Sequence, residues 1–125
     1  MAGIKRALFD SNIVIDFLNG HEAARHLFAA CEEPIISVMN WMEVLTGDLT
    51  PQQEARARLT MNGLEIIDIT FHIMEEAIKQ RKRYRLKSPD AIIWATALLE
   101  DCSFYTRNTK GFSFSHPLIT IPYRL

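Results

Sequence analysis

The sequence predicts an α/β fold, a three-layer sandwich in which a mainly parallel central sheet is flanked by helices on both faces. Two observations carry this reading. Short apolar, β-branched runs alternate with segments of helical spacing, the pattern of a parallel sheet covered on two sides. No repeat, low-complexity tract or Gly/Ser linker breaks the chain, so residues 1–125 are expected to form one domain.

The elements follow in order. IKRALFD (4–10) reads as the first strand, ending at Asp10, and NIVIDFLNG (12–20) as a helix stopped by Gly20. HEAARHLFAACEE (21–33) reads as a second helix, EPIISV (33–38) as a second strand, and MNWMEVLTG (39–47) as a helix ending at Gly47. TPQQEARARLTMNG (50–63) opens with Thr50 as N-cap and Pro51 at the first helical position. LEIIDI (64–69) is the third strand, with Asp68 expected to cap a turn. TFHIMEEAIKQRKRYR (70–85) is one amphipathic helix. The helix of SPDAIIWATALL follows, with Ser88 placed as N-cap and Pro89 at the first helical position. SFYT (103–106) is the fourth strand and LITI (118–121) a possible fifth.

Composition narrows the class. With 48% hydrophobic and 23% charged residues, the chain reads as an ordinary globular protein rather than a disordered one. No apolar run approaches the roughly 20 residues that cross a bilayer, and MAGIKRALFD lacks a signal-peptide core and a myristoylation pattern. A cytoplasmic protein without a membrane partner is therefore expected. Cys31 and Cys102 lack metal-type spacing and read as free thiols, with a disulfide left open. A net charge of −1 does not mark the whole molecule as a polyanion binder. Yet residues 79–87, KQRKRYRLK, hold six of the fourteen basic residues. That run reads either as a solvated helix end or as a phosphate-contacting segment with Tyr84 available for stacking.

A parallel sheet has a chemical consequence, because sites in open α/β sheets form beyond the carboxyl ends of the strands. Asp10 ends the first strand. Ser37, Asn40 and Glu43 run from the second strand into the next helix, and Thr106, Arg107 and Asn108 follow the fourth. Asp90, taken alone, is a helix starter whose charge complements the dipole. Glu43, set among Trp41, Met42, Val44 and Leu45, requires a partner or an ion. Carboxylates gathered in one cleft raise one another's pKa, and a divalent cation removes that penalty; hard oxygen donors suit Mg²⁺ or Mn²⁺. Such an ion activates water and neutralises a phosphoryl group, so the residues point to metal-assisted phosphodiester hydrolysis. Asp16 is expected in a structural salt bridge. Trp41 and Trp94 are expected in the core or a dimer contact. His21, His26, His72 and His116 form no zinc pattern, Ser37 has no triad partners, and no phosphate-binding P-loop is present.

In order, LFDSNIVIDFL, ISVMNWMEVLTG, SPDAIIWATAL and FYTRNTKGF resemble the PIN-domain ribonucleases, particularly the VapC-type toxins of toxin–antitoxin pairs, across residues 10–112. The resemblance implies a PIN-like fold and an Mg²⁺-dependent endoribonuclease, with Mn²⁺ an alternative ion. It implies that Asp10, Glu43 and Asp90 are the catalytic acids and hold the metal. Asn12 and Ser37 match polar positions that orient the acids, and Asn40 stands where the S-x-x-T-x-x-E pattern has threonine. Similar proteins often carry acids at the positions of Asn108 and Gly111. Here Asn108 would assist, either through its carbonyl oxygen or by holding a metal-bound water, and Gly111 offers no side chain, which favours a single ion. Arg107, Lys110 and the basic run would position the RNA backbone. A homodimer and a protein antitoxin that inserts a basic side chain or peptide into the acidic cleft are also implied. Two rivals stand beside this reading. One is a non-catalytic PIN-like module, binding RNA or protein, that has lost an acidic ligand at Gly111. The other is a phosphoryl-transfer domain with Asp10 as nucleophile, which lacks the usual second acid because that position is Asn12.

Overall fold

The structure is a computed structural model that describes residues 3–125; the first two residues of the expected 1–125 domain lie outside the described residues. Its elements are β1 (Ile4–Phe9), α1 (Ser11–Leu18), α2 (Glu22–Ala30), β2 (Cys31–Ser37), α3 (Val38–Leu45), α4 (Pro51–Asn62), β3 (Glu65–Ile67), α5 (Phe71–Tyr84), α6 (Ser88–Glu100), β4 (Ser103–Tyr105) and β5 (Ile119–Thr120). The five strands form one sheet in the order β3-β2-β1-β4-β5, and every neighbouring pair is parallel.

Alternation along the strands divides the interior in two. Leu8, Ile35 and Phe104 point to the face covered by α5 and α6. Ala7, Phe9 and Ile36 point to the face covered by α1 to α4. The three layers expected from the sequence are therefore present. α6 is the most deeply placed helix: seven consecutive residues from Ala91 through Ala97 are buried. Such a helix needs no polar face of its own. Its indole, Trp94, is fully buried and donates through Nε1 to Gln80 Oε1 at 2.9 Å.

Strand order places the site. The chain builds outward from β1 through β2 to β3, then returns across to β4 on the other side of β1. The reversal between β1 and β4 is the switch point at which open parallel sheets form crevices. Asp10 follows β1 immediately, and Thr106 follows β4 immediately.

Local readings differ from the structure in three places. Cys31, Glu32 and Glu33 belong to β2 rather than to the preceding helix, because Cys31 pairs with Ile4 and Glu33 with Arg6 across the sheet. Ser88 is not the N-cap of α6: Lys87 holds that position, no side chain caps the turn, and Ser88 and Pro89 are the first two helical residues. Asp68 is exposed and its side chain accepts no hydrogen bond among the described residues, and Thr70 caps α5 by accepting from Ile73 N. Both cysteines are buried free thiols. Among the described residues, no helix is long and apolar enough to cross a membrane.

Candidate active site

Asp10 does two things at once. As N-cap of α1 it accepts from Ser11 N through Oδ1 at 2.8 Å, so the helix start fixes its carboxylate. Its other oxygen, Oδ2, accepts from Thr106 Oγ1 at 2.7 Å, and Asn12 Nδ2 makes a long 3.4 Å contact to the same atom. All of these donors are neutral, and the residue is only 4% exposed. Burial raises its pKa to about 6, opposed by the Thr106 and Ser11 hydrogen bonds and increased by the charges of Asp90 and Glu43.

A continuous chain of hydrogen bonds joins the three acids. On one side, Ser11 Oγ donates to Glu43 Oε1 at 2.5 Å while accepting from Asn40 Nδ2 at 2.9 Å. Asn40 is fully buried, and its Oδ1 accepts from Ser37 N at 2.8 Å. Ser37 caps α3 by accepting from Met39 N. The α3 capping box is therefore also the mount that aims Ser11 at Glu43. On the other side, Thr106 Oγ1 accepts from Asn108 N at 3.0 Å, and Asn108 Nδ2 lies 3.4 Å from Asp90 Oδ2. Asp90 is half-buried; burial raises its pKa, partly offset by the charge of Lys87 and the Asn108 contact.

The sequence-derived set thus converges. Asp10, Glu43, Asp90 and Asn108 meet in one network, with Asn12, Ser37 and Asn40 around them. Ser11 and Thr106 complete it; the sequence places Thr106 at the strand end without a role and does not single out Ser11. For Ser11 the available signal was its place directly after Asp10. For Thr106 it was its place at the end of the fourth strand.

The basic candidates divide. Lys110 is exposed on the rim of a cavity of about 430 Å³ that is lined by Asp90, Asn108 and Gly111. Arg107 is not free: its guanidinium grips Asp16 through Nε at 2.6 Å and Nη2 at 2.9 Å, and Tyr123 Oη donates to the same carboxylate at 2.8 Å. Asp16 therefore sits in the expected salt bridge. Burial would raise its pKa, but the Arg107 and Tyr123 hydrogen bonds outweigh this and hold it low. Arg107 N donates to Asn12 Oδ1 at 3.1 Å, so the pair also pins the loop that carries Thr106 and Asn108. Tyr84 is a poor stacking platform, because Phe114 already lies on its ring at 3.5 Å and Arg83 stands 5.2 Å from its centroid.

Among the described residues, none of the three acids forms an ion pair. Nor is any group of three His, Cys, Asp or Glu side chains placed to hold a metal ion directly. A buried carboxylate with only neutral donors, beside two further acids, calls for a cation from outside. Oxygen-only donors fit a hard divalent ion, and Mg²⁺ keeps several waters that can bridge to carboxylates it does not touch.

A family model described as PIN domain matches residues 7–115. Among solved structures, the chain is similar to one described as a toxin–antitoxin complex from Klebsiella pneumoniae. That chain is 42% identical with a TM-score of 0.86, over 95% of this chain and 99% of that chain. It is also similar to a chain of VapBC2 from Rickettsia felis bound to a DNA fragment from their promoter, with 17% identity and a TM-score of 0.76, over 92% and 97% of the two chains. FitAcB from Neisseria gonorrhoeae gives 17% identity and a TM-score of 0.78, over 95% and 99%. These last two likenesses bear on the fold alone. No curated protein matches the sequence significantly.

Proposed function

The chain belongs to the PIN domain family, and on that premise we propose that it is an Mg²⁺-dependent endoribonuclease, the VapC-type toxin of a toxin–antitoxin pair. The observation that carries this reading is the linked trio of acids, unpaired with any cationic side chain among the described residues, at the switch point of a parallel sheet. Asp10, Glu43 and Asp90 would hold a single Mg²⁺ or Mn²⁺, at least one of them through a bridging water. When bound, that ion lowers the pKa of a water molecule and neutralises charge on the phosphodiester.

The chain's own residues then have separate tasks. Thr106 and Ser11 N hold Asp10 in one orientation, Ser11 Oγ holds Glu43, and Asn108 keeps its amide against Asp90. Asn12, Ser37 and Asn40 stiffen this arrangement. Lys110 stands where it can meet a phosphate, while Arg107 acts through the Asp16 pair to hold its loop. We further propose a single domain, action in the cytoplasm, a homodimer, and an antitoxin that covers the acidic cleft. The similarity to the Klebsiella pneumoniae toxin–antitoxin complex supports the partner. Met42 and Leu59 on α3 and α4, and Phe71 and Met74 on α5, are large exposed apolar side chains that suit protein contacts.

The test is Asp90→Asn in a cleavage assay on a panel of structured RNAs with Mg²⁺. The substitution keeps the helix start and should lower the rate by more than the ~10–100-fold seen when an outer partner of a metal is lost. An unchanged rate would overturn the assignment. Parent protein that binds Mn²⁺ weakly and leaves every RNA uncut would establish the non-catalytic module instead.

A further inference from the structure

We propose that single-stranded RNA leaves the acid site over the C-terminal end of α5, along a cationic cleft centred on Arg85; this rests on the nuclease reading above. The cavity that opens on Asp90 adjoins a second one of about 420 Å³, lined by Ile78, Arg81, Lys82, Arg85 and Leu86. Arg85 and Leu86 line both. Both volumes fall in the ~300–1,000 Å³ range of small-ligand sites.

Charge is ordered along this path. Among the described residues, the outer cavity carries three cations, no carboxylate, and two apolar side chains, Ile78 and Leu86. The inner cavity carries Arg85, Lys87 and Lys110, and among the described residues its sole carboxylate is Asp90. A strand with one phosphate per residue and an apolar base face matches that sequence of surfaces. Its phosphates can track the cations until one reaches the acids.

Helix-dipole complementarity accounts for Arg81, Lys82 and Arg83 in the last turn of α5. It also covers Arg85, the C-cap, but not that residue's place on both cavities. That residue lies past the helix end in the left-handed conformation, φ 56° and ψ 38°, which glycine adopts without strain and other L-residues do not. The turn is fixed by Arg85 N donating to Arg81 O at 2.8 Å and by Arg81 Nε donating to Leu86 O at 2.9 Å. Asp101 takes the same left-handed turn at the end of α6, so the conformation is a helix stop, and what singles out Arg85 is that it lines both cavities.

The left-handed turn supplies a clean test. A short fluorescein-labelled single-stranded RNA of mixed sequence is titrated into full-length Asp90→Asn protein, with and without Arg85→Gly or Lys82→Ala. Each added substitution should weaken binding several-fold. Each should also flatten the slope of log affinity against log salt by about 0.7, the single-strand value per phosphate contact. Arg85→Gly should melt no lower than its parent, because glycine relieves the left-handed turn. If it melts lower, Lys82→Ala, on the exposed helix surface, decides. Unchanged affinity and salt slope in that variant would overturn the cleft. Polyglutamate competing as strongly as RNA would also overturn it, by showing a generic anion surface. The nuclease reading fails separately, if unmodified protein with Mg²⁺ binds RNA through Arg85 and leaves it uncut.

Discussion

Gly111 shows how a residue without a side chain can define a site. A Cβ built there would lie 2.4 Å from Asn108 Nδ2 and 2.7 Å from Asp90 Oδ2. Asn108 cannot easily withdraw, because its Oδ1 accepts from Gly111 N at 2.9 Å. Gly111→Ala should therefore cost about 1–3 kcal/mol through overpacking and slow cleavage. Adding Asn108→Ala removes the nearer of the two crowded groups and should recover part of that stability, a non-additive result that chemical denaturation of both single variants and the double will reveal. Gly111→Ala melting and cleaving like the parent would show the contact to be loose. In sequence the same glycine reads only as an absent acid. Asp10, Glu43 and Asp90 were legible because each sits in a recognisable local pattern. The roles of Ser11 and Thr106 were not, since they are set by contacts to Glu43 and Asp10, 32 and 96 residues away.

Among the elements, α3 links architecture to chemistry most directly. Its capping residues, Ser37 and Asn40, end β2 and begin the helix, and the same Asn40 amide that receives Ser37 N reaches out to Ser11. Asn40→Ala should leave two buried polar groups without partners, Ser37 N–H and Ser11 Oγ as acceptor, at a cost of about 2–4 kcal/mol. Cleavage should fall in the fraction that stays folded at low temperature, because Ser11 no longer has a fixed orientation toward Glu43. Full activity at unchanged stability would mean that the network does not orient the acid. Element order and strand direction were readable from the alternation of patterns, and Thr50 and Pro51 start α4 as expected. The misreadings arose where two local signals compete. Helical spacing continues through Cys31, but pairing with β1 takes that residue into the sheet. Ser88 has N-cap chemistry, yet the helix begins one residue earlier, and its burial on every side stabilises it without a cap.

At the scale of the whole molecule, the fold holds a charge that it would be more stable without. Asp10 ionises near 6 rather than near 3.8, chiefly because it is buried, with Asp90 and Glu43 adding repulsion. The folded state then binds this proton more tightly than the unfolded chain does. For this group, stability of the metal-free protein falls as pH rises from about 4 to about 6, then stays at the lower level. The full shift corresponds to about 3 kcal/mol, and an asparagine recovers less because its amide cannot accept from both Thr106 and Ser11. Metal-free Asp10→Asn should therefore be more stable than the parent at pH 8 by on the order of 1–2 kcal/mol, and no more stable at pH 4. Mn²⁺ should reverse the order, because a ligand that binds only the folded state stabilises it in proportion to its affinity, and the variant has lost a carboxylate. Thermal melts at the two pH values, with and without Mn²⁺, test both halves. A variant less stable than the parent without metal would mean that Asp10 is structural. Equal Mn²⁺ shifts in both proteins would place the ion elsewhere.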